Sequence, residues 1–416
     1  MLISPNPLIL HPDLPPVSVT VSQSAAPTPW PTIILLAMTA FCASATQRIL
    51  DPMLPRLAEV YTTTLSAASW AITAFAIVYG CLQLVLGPSG DRYGKLRVIS
   101  LFSLLAAVAS LLCALSGSLA TLIAARMLAG VGCAAVIPLA MAWIGDNVPY
   151  EQRQAVLARF LIGQICGLAC GQTFGGLAAE QDWWQWPFLV YTLLFAAASG
   201  LLWYRAGRHE RPQGRKPESL GVSLRHVLQK SWPRVVLIAV FCEGAAVFCG
   251  FAFVASHLHV VGGLPLTEAG MILAVFALGG LSFALLARRL VPRLGESGLC
   301  QLGCVLIAIA LAAICLKPTP GVAVIGCYLF GLGFYMLHNT LQTTATQMAP
   351  ERRGAAVSLF STAFFTGQSL GTAVGGGIIA LSGTTPTLAL AAVAVLPVGF
   401  GFAWQIRRRD RALVPA

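Results

Sequence analysis

Apolar runs long enough to cross a bilayer alternate with short polar stretches along the whole chain. A spanning helix needs about 20 mainly apolar residues. Such runs lie near 31–53, 66–86, 98–116, 119–145, 154–178, 186–205, 234–257, 266–287, 298–316, 319–346, 354–381 and 384–406, which predicts twelve helices. The longest interruption, 206–233, is polar and basic and reads as a linker between two halves of six helices. The expected division is a loose cytoplasmic tail over 1–29, a first half over 30–205, the linker over 206–233, a second half over 234–406 and a cytoplasmic tail over 407–416.

Composition turns this pattern into a class. Of 416 residues, 57% are hydrophobic and 10% charged, and the mean hydropathy is +0.78; soluble proteins carry about 25% charged residues. The chain therefore reads as an all-α integral membrane protein whose partner is the lipid bilayer. A net charge of +11 would suggest nucleic acid in a soluble protein. Here the basic residues lie between apolar runs, so they speak of topology and no nucleic-acid partner is expected. With both termini in the cytoplasm, 22 of the 26 Lys and Arg fall on that side, all but Arg48, Arg56, Arg126 and Lys317. Short loops retain positive charge on the cytoplasmic side, so both termini are expected there, in the inner (cytoplasmic) membrane. Residues 1–29 hold no Lys or Arg before the first apolar run and do not read as a cleavable signal peptide. The 12 cysteines form no CxxC pair and read as small core residues, so neither a metal site nor a disulfide framework is expected.

The halves echo one another. Gly163-Gln164-x-x-Gly167-x-x-x-Gly171 matches Gly367-Gln368-x-x-Gly371-x-x-x-Gly375 at an offset of 204, and a similar turn precedes each, Pro149 to Arg153 and Pro350 to Arg353. A weaker echo links Arg92-Tyr93-Gly94 to Arg293-Leu294-Gly295. Two duplicated halves around a site near the midplane are the architecture of a transporter that alternates access by rocking one half against the other.

After the second helix comes Gly87-Pro88-Ser89-Gly90-Asp91-Arg92-Tyr93-Gly94-Lys95-Leu96-Arg97. This resembles the loop signature of the major facilitator superfamily, GxLADRxGRKxxL, with Ser89 for the usual Leu and Leu96 for a basic residue. Gly87 and Gly94 suit a tight turn between helices, and Asp91 can accept charge-assisted hydrogen bonds near a helix start. With Arg92 and Lys95 these residues are expected to latch the halves together on the cytoplasmic side; the bland alternative is a topogenic loop. In the fourth helix, Leu122-x-x-x-Arg126-x-x-Ala129-Gly130-x-Gly132 is similar to the family's LxxxRxxQGxGAA, with Ala129 for Gln. The resemblance implies that Arg126 takes part in proton transfer or holds an acidic partner; snorkelling to the outer interface is the alternative. In the fifth helix, Gly167, Gly171, Gln172, Gly175 and Gly176 resemble the antiporter signature GxxxGPxxGG. These small residues are expected to pack helices closely across the interface between halves. Gln172 in place of Pro removes a kink and leaves symport or uniport open. Asp51-Pro52-Met53-Leu54-Pro55 is similar to the D-x-x-x-P element of the twelve-helix drug:proton antiporter branch. Monomers are usual in that family.

The acids lie almost entirely in loops and tails. Glu243 is the exception, nine residues into the seventh helix and so roughly 14 Å along it at 1.5 Å per residue. A carboxylate at that depth is costly to charge, which suits a group that binds and releases protons as access alternates; a permanently protonated, purely structural Glu is the alternative. Asp51, with Arg48 one turn before it, reads as either an interface residue or a proton site. His338 could shuttle protons or serve as a polar helix contact. Tyr335 and Asn339 lie beside it, and Gln83, Gln164, Gln172, Gln342 and Gln368 can supply hydrogen bonds at the cavity.

No P-loop occurs and no loop could hold a nucleotide domain, so energy would come from a proton gradient and no cofactor is expected. An intramembrane enzyme would need clustered His, acid or Cys; the chain offers one isolated Glu and one isolated His. The expected function is proton-coupled export of a small apolar or amphipathic compound, because sparse polar lining argues against sugars. The alternative is proton-coupled uptake of a metabolite such as an organic acid, with Arg126 as its anion partner.

Overall fold

The structure, a computed structural model, describes residues 29–209 and 220–413. Among them there are no strands, and the helices give twelve spans in two six-helix halves. The eighth and ninth spans are continuous over Leu266–Leu316 except at Gly295, whose φ of +62° breaks the helix. Gly94, with φ +94°, makes the corresponding break between the second span, Leu65–Tyr93, and the third, Lys95–Ala114. The Arg-x-Gly echo thus marks two equivalent turns that only glycine enters without strain. The same geometry corrects the turn expected at Gly87: helix runs through it to Tyr93, and the turn is confined to Gly94.

Three spans read as single helices are broken. The first, Trp30–Arg48, stops before Asp51-Pro52 and resumes as Leu54–Val60. Its counterpart, the seventh span Ser231–Phe251, resumes as Val254–Val260. The fourth span divides into Leu119–Ala134 and Val136–Asn147. Pro138 is responsible: it has no N–H for the Ala134 carbonyl one turn back, and Gln83 Nε2 donates to that carbonyl instead, at 3.2 Å.

The expected linker also changes. The sixth span continues to His209, residues 210–219 lie outside the described residues, and Leu220–Gln229 forms a helix. Leu224 and Val227 lie one turn apart, and Val227 is fully buried, so this segment has a face to pack. It is anchored by Glu351, which accepts from both His226 and Lys230, and by Arg352 Nη1 donating to Ser223 Oγ at 3.2 Å. These hydrogen bonds, Lys230 foremost, hold the Glu351 carboxyl down at about 2. The anchor therefore stays charged until the medium is strongly acidic. The twelfth span, Thr384–Leu413, carries helix into the segment read as a tail. The N-terminal tail over 1–28 is outside the described residues.

Glycines set the packing within each half. A Cβ on Gly163, Gly167, Gly171 or Gly175 of the fifth span, Tyr150–Ala179, would meet the carbonyls of Ala37, Phe41, Ala45 and Ile49 in and just after the first. In the eleventh span, Arg353–Ser382, Gly367, Gly371 and Gly375 press equally on Phe241, Ala245 and Cys249 of the seventh. This corrects the expectation that the motif packs across the halves. Only Gly176 crosses, lying against Leu266 and Gly270 of the eighth span, with Gln172 reaching Gly270 through its carbonyl.

The halves meet from the end away from the linker to mid-span. Gly376 abuts Ser69 and Gly80 abuts Phe365; Thr362 Oγ1 donates to the Gly80 carbonyl at 2.8 Å; Thr267 donates to Glu180. At the linker end, Gln152, Gln154, Ala155 and Ala158 of the fifth span are exposed. The protein is shut at one end and open at the other.

Candidate transport site

Three groups of ionisable side chains are brought together where the first half faces the second. Asp51 is fully buried in the break after the first span, and Arg48 Nη1 lies 3.6 Å from its Oδ2. The Arg48 guanidinium stands over the Phe248 ring of the other half, 4.2 Å from its centroid, with Phe251 at 5.8 Å. Both Asp51 oxygens lack hydrogen-bond partners among the described residues.

Arg126 is fully buried and does not snorkel. Its Nη1 donates to the Thr46 carbonyl at 2.9 Å and its Nε to Ala71 at 3.5 Å, while the guanidinium lies 4.3 Å from the Phe75 centroid. Thr46 is in the last turn of its helix, where carbonyls run out of intrahelical partners. Arg126 therefore caps the broken first span, and its Nη2 remains without a partner.

The deepest group joins Glu243 of the seventh span to His338 of the tenth, Pro320–Gln347. Glu243 is fully buried, and its Oε2 is 3.0 Å from His338 Nδ1. Glu243 Oε1 has no partner among the described residues. Isolated from one another in the sequence, the two form a pair in the structure. Rings enclose it: His338 lies 4.5 Å from Phe364 and stacks on Phe334 at 5.0 Å. Ring contacts then run through Phe365 to Tyr79 and Phe75, reaching Arg126. Phe248, beneath Arg48, also touches Phe364. The wall between the acidic and basic groups is aromatic and closely packed, its Phe75, Tyr79, Phe248, Phe334 and Phe364 rings buried.

Elsewhere, Tyr335, Asn339 and Gln164 are half-buried. At 100° per residue, Gln164 projects between the fifth-span faces that touch the first and eighth spans. Gln172 and Gln368 are buried with Oε1 unpaired, whereas the Gln83 amide is committed to the Ala134 carbonyl. Of the loop motif, the side chain of Asp91, and so the latch expected of it, lies outside the described residues, as does Gly87's surroundings. Lys95 Nζ bonds Asp146 Oδ2 at 2.8 Å, tying the Gly94 turn to the end of the fourth span within the first half. Arg92 rests over Tyr93.

Comparison with known proteins agrees with the fold. An uncharacterized MFS-type transporter of Bacillus subtilis (strain 168), YwfA, is 22% identical over 379 residues, covering 89% of this chain and 91% of that protein. The multidrug export protein EmrB of Escherichia coli (strain K12) is 26% identical over 192 residues, 46% of this chain and 38% of that protein. A solved bacterial homologue of the human lysosomal transporter Spinster, in an inward-facing and unoccupied conformation, superposes with TM-score 0.72 at 19% identity, covering 94% of this chain and all of that one. The sequence profile of the Major Facilitator Superfamily matches residues 36–372, and the chain belongs to that family of membrane transporters.

Proposed function

We infer that this transporter uses a proton gradient to export small apolar or amphipathic compounds across the cytoplasmic membrane, with the Glu243–His338 pair as its proton site. The carrying observation is that fully buried Glu243 has His338 as its sole hydrogen-bond partner among the described residues. The pair can hold its hydrogen bond with one exchangeable proton, when neutral His338 Nδ1–H donates to the carboxylate. It can also hold it with two, as imidazolium and carboxylate or as acid and neutral imidazole. One proton is thus taken up or released without leaving a buried polar atom newly unpaired, the costly event in a low-dielectric interior. Asp51, between Arg48 and Arg126, is a second candidate, already accompanied by positive charge.

The aromatic wall supports an apolar or aromatic cargo, and the similarity to EmrB over part of the chain points the same way. Arg126 spends two of its donors on backbone carbonyls, which weakens its candidacy as the anion partner needed for organic-acid uptake. With the linker placed in the cytoplasm by the distribution of Lys and Arg, the open end faces inward and the shut end outward. Alternating access would then rock the halves about the contacts at Gly80 and Gly176, as a monomer.

The test is Glu243→Gln in proteoliposomes. Gln keeps the shape and hydrogen-bonding capacity of a neutral carboxyl but carries no titratable proton. Uphill, pH-gradient-driven transport should be abolished while substrate binding persists. Uphill transport with an unchanged pH profile would make Glu243 structural and pass the role to Asp51. In everted vesicles, substrate-induced proton movement in the sense of symport would instead establish uptake.

A further inference from the structure

On the lipid-facing side of the first half, the first, fifth and sixth spans leave a groove of 540 Å³ lined by Ile33, Met38, Phe41, Phe160 and Leu194 among others. Its lining is apolar except at one end, where Arg159 is its only charged residue. Arg159 is exposed, and its guanidinium lies over Trp30, 4.7 Å from the ring centroid. Trp30 opens the first span, so the cation sits at the linker-side boundary of the membrane-crossing region, where Trp marks the headgroup level. No carboxylate among the described residues forms an ion pair with it.

The second half carries the pseudo-equivalent groove between the seventh, eleventh and twelfth spans, 770 Å³ in volume, lined by Val235, Ala245, Leu370 and Trp404 among others. That groove has no charged residue in its lining. Duplication therefore preserved the apolar slot, but only in the first half does a cation belong to its lining; in the second, Arg408 and Arg409 stand over Trp404 and Trp232 and line no part of the groove. Packing between helices would not distinguish the copies in this way. A snorkelling arginine alone would need no slot beside it.

We propose that the first-half groove is a binding site for one anionic phospholipid, an acyl chain in the slot and the phosphodiester on Arg159. Charge complementarity selects this occupant. A guanidinium offers a planar fork of donors that matches two phosphate oxygens, and stacking on Trp30 fixes its direction before the lipid arrives. An acyl chain supplies the apolar complement to Ile33, Met38, Phe41 and Leu194. The site stands apart from the proton-coupling groups and does not depend on the direction of transport.

The experiment is native mass spectrometry of the full chain released from nanodiscs of phosphatidylcholine with a rising fraction of phosphatidylglycerol. The wild type should retain one phosphatidylglycerol at low fractions. Arg159→Gln should weaken that retention roughly tenfold, the loss expected for one charge-assisted hydrogen-bonded contact. Met38→Trp, which fills the slot but keeps the cation, should weaken it as well and provides the reading if Arg159→Gln does not fold. Arg409→Gln, whose guanidinium lies over Trp232 in the second half, should change nothing. Equal retention by wild type, Arg159→Gln and Met38→Trp overturns the proposal. So does an equal loss in Arg409→Gln, which would mean a diffuse basic surface, or competition by water-soluble glycerol phosphate as effective as that of the lipid.

Discussion

Gln83 and Pro138 illustrate how one residue answers for another. Proline withholds an N–H from the Ala134 carbonyl, and a buried carbonyl without a donor is costly. Gln83, on the neighbouring second span, donates to it at 3.2 Å. Gln83→Leu should lower stability by about 1–3 kcal/mol, the cost of an unsatisfied buried group, read as a lower melting temperature in detergent. Adding Pro138→Ala returns a backbone donor and should recover most of that loss; a double variant as weak as the single would show that Gln83 acts elsewhere. Legibility at this scale is uneven. Glu243 could be found from depth alone, because an acid nine residues into an apolar run has few structural excuses. Its pairing with His338 could not, since nothing in the sequence fixes how the seventh and tenth spans are rotated. The available signal was that a buried acid needs a partner and that the tenth span holds a single His.

Between elements, the repeat carries more information than the motif it overlaps. The glycines at 163, 167, 171 and 175 meet the residues at 37, 41, 45 and 49, while those at 367, 371 and 375 meet 241, 245 and 249, so the first three pairs recur displaced by the same 204 positions. Small residues four apart let two helices approach until backbone touches backbone. The sequence made the stripe visible but not its partner, because the interface between halves and the interface within a half ask for the same small residues. A Cβ on Gly371 would lie 2.1 Å from the Ala245 carbonyl oxygen, whereas one on Gly377 would meet nothing within 4 Å. Gly371→Ala should therefore destabilise the second half by about 1–3 kcal/mol, as overpacking does, and Gly377→Ala should be nearly neutral. Thermal unfolding of the two variants side by side checks this, and equal melting temperatures would remove the close approach as a determinant of packing.

For the whole molecule, the twelve spans and the duplication were legible because the bilayer demands long apolar helices that satisfy their own backbone. Which end is closed was not, since that depends on contacts between residues hundreds of positions apart. Arg48 makes one such contact: its guanidinium belongs to the first half and lies on Phe248 of the second. Rocking the halves apart at this end must separate them, while Asp51, one turn along the same chain, moves with Arg48 and remains its neighbour. The cation–π contact thus favours the shut state alone, and only an interaction that differs between two states shifts their balance. Phe248→Leu retains an apolar side chain but no ring quadrupole, and a desolvated cation–π contact is worth about 2 kcal/mol. The population open at this end should rise by roughly tenfold or more at that magnitude. Spin labels at Glu59, in the helix Leu54–Val60, and at Gly263, in the turn after Val260, both at the shut end, would report a second, longer distance in the variant. A distance distribution identical to the wild type would show that Gly176, Gly376 and Ser69 hold this end shut without help from Arg48.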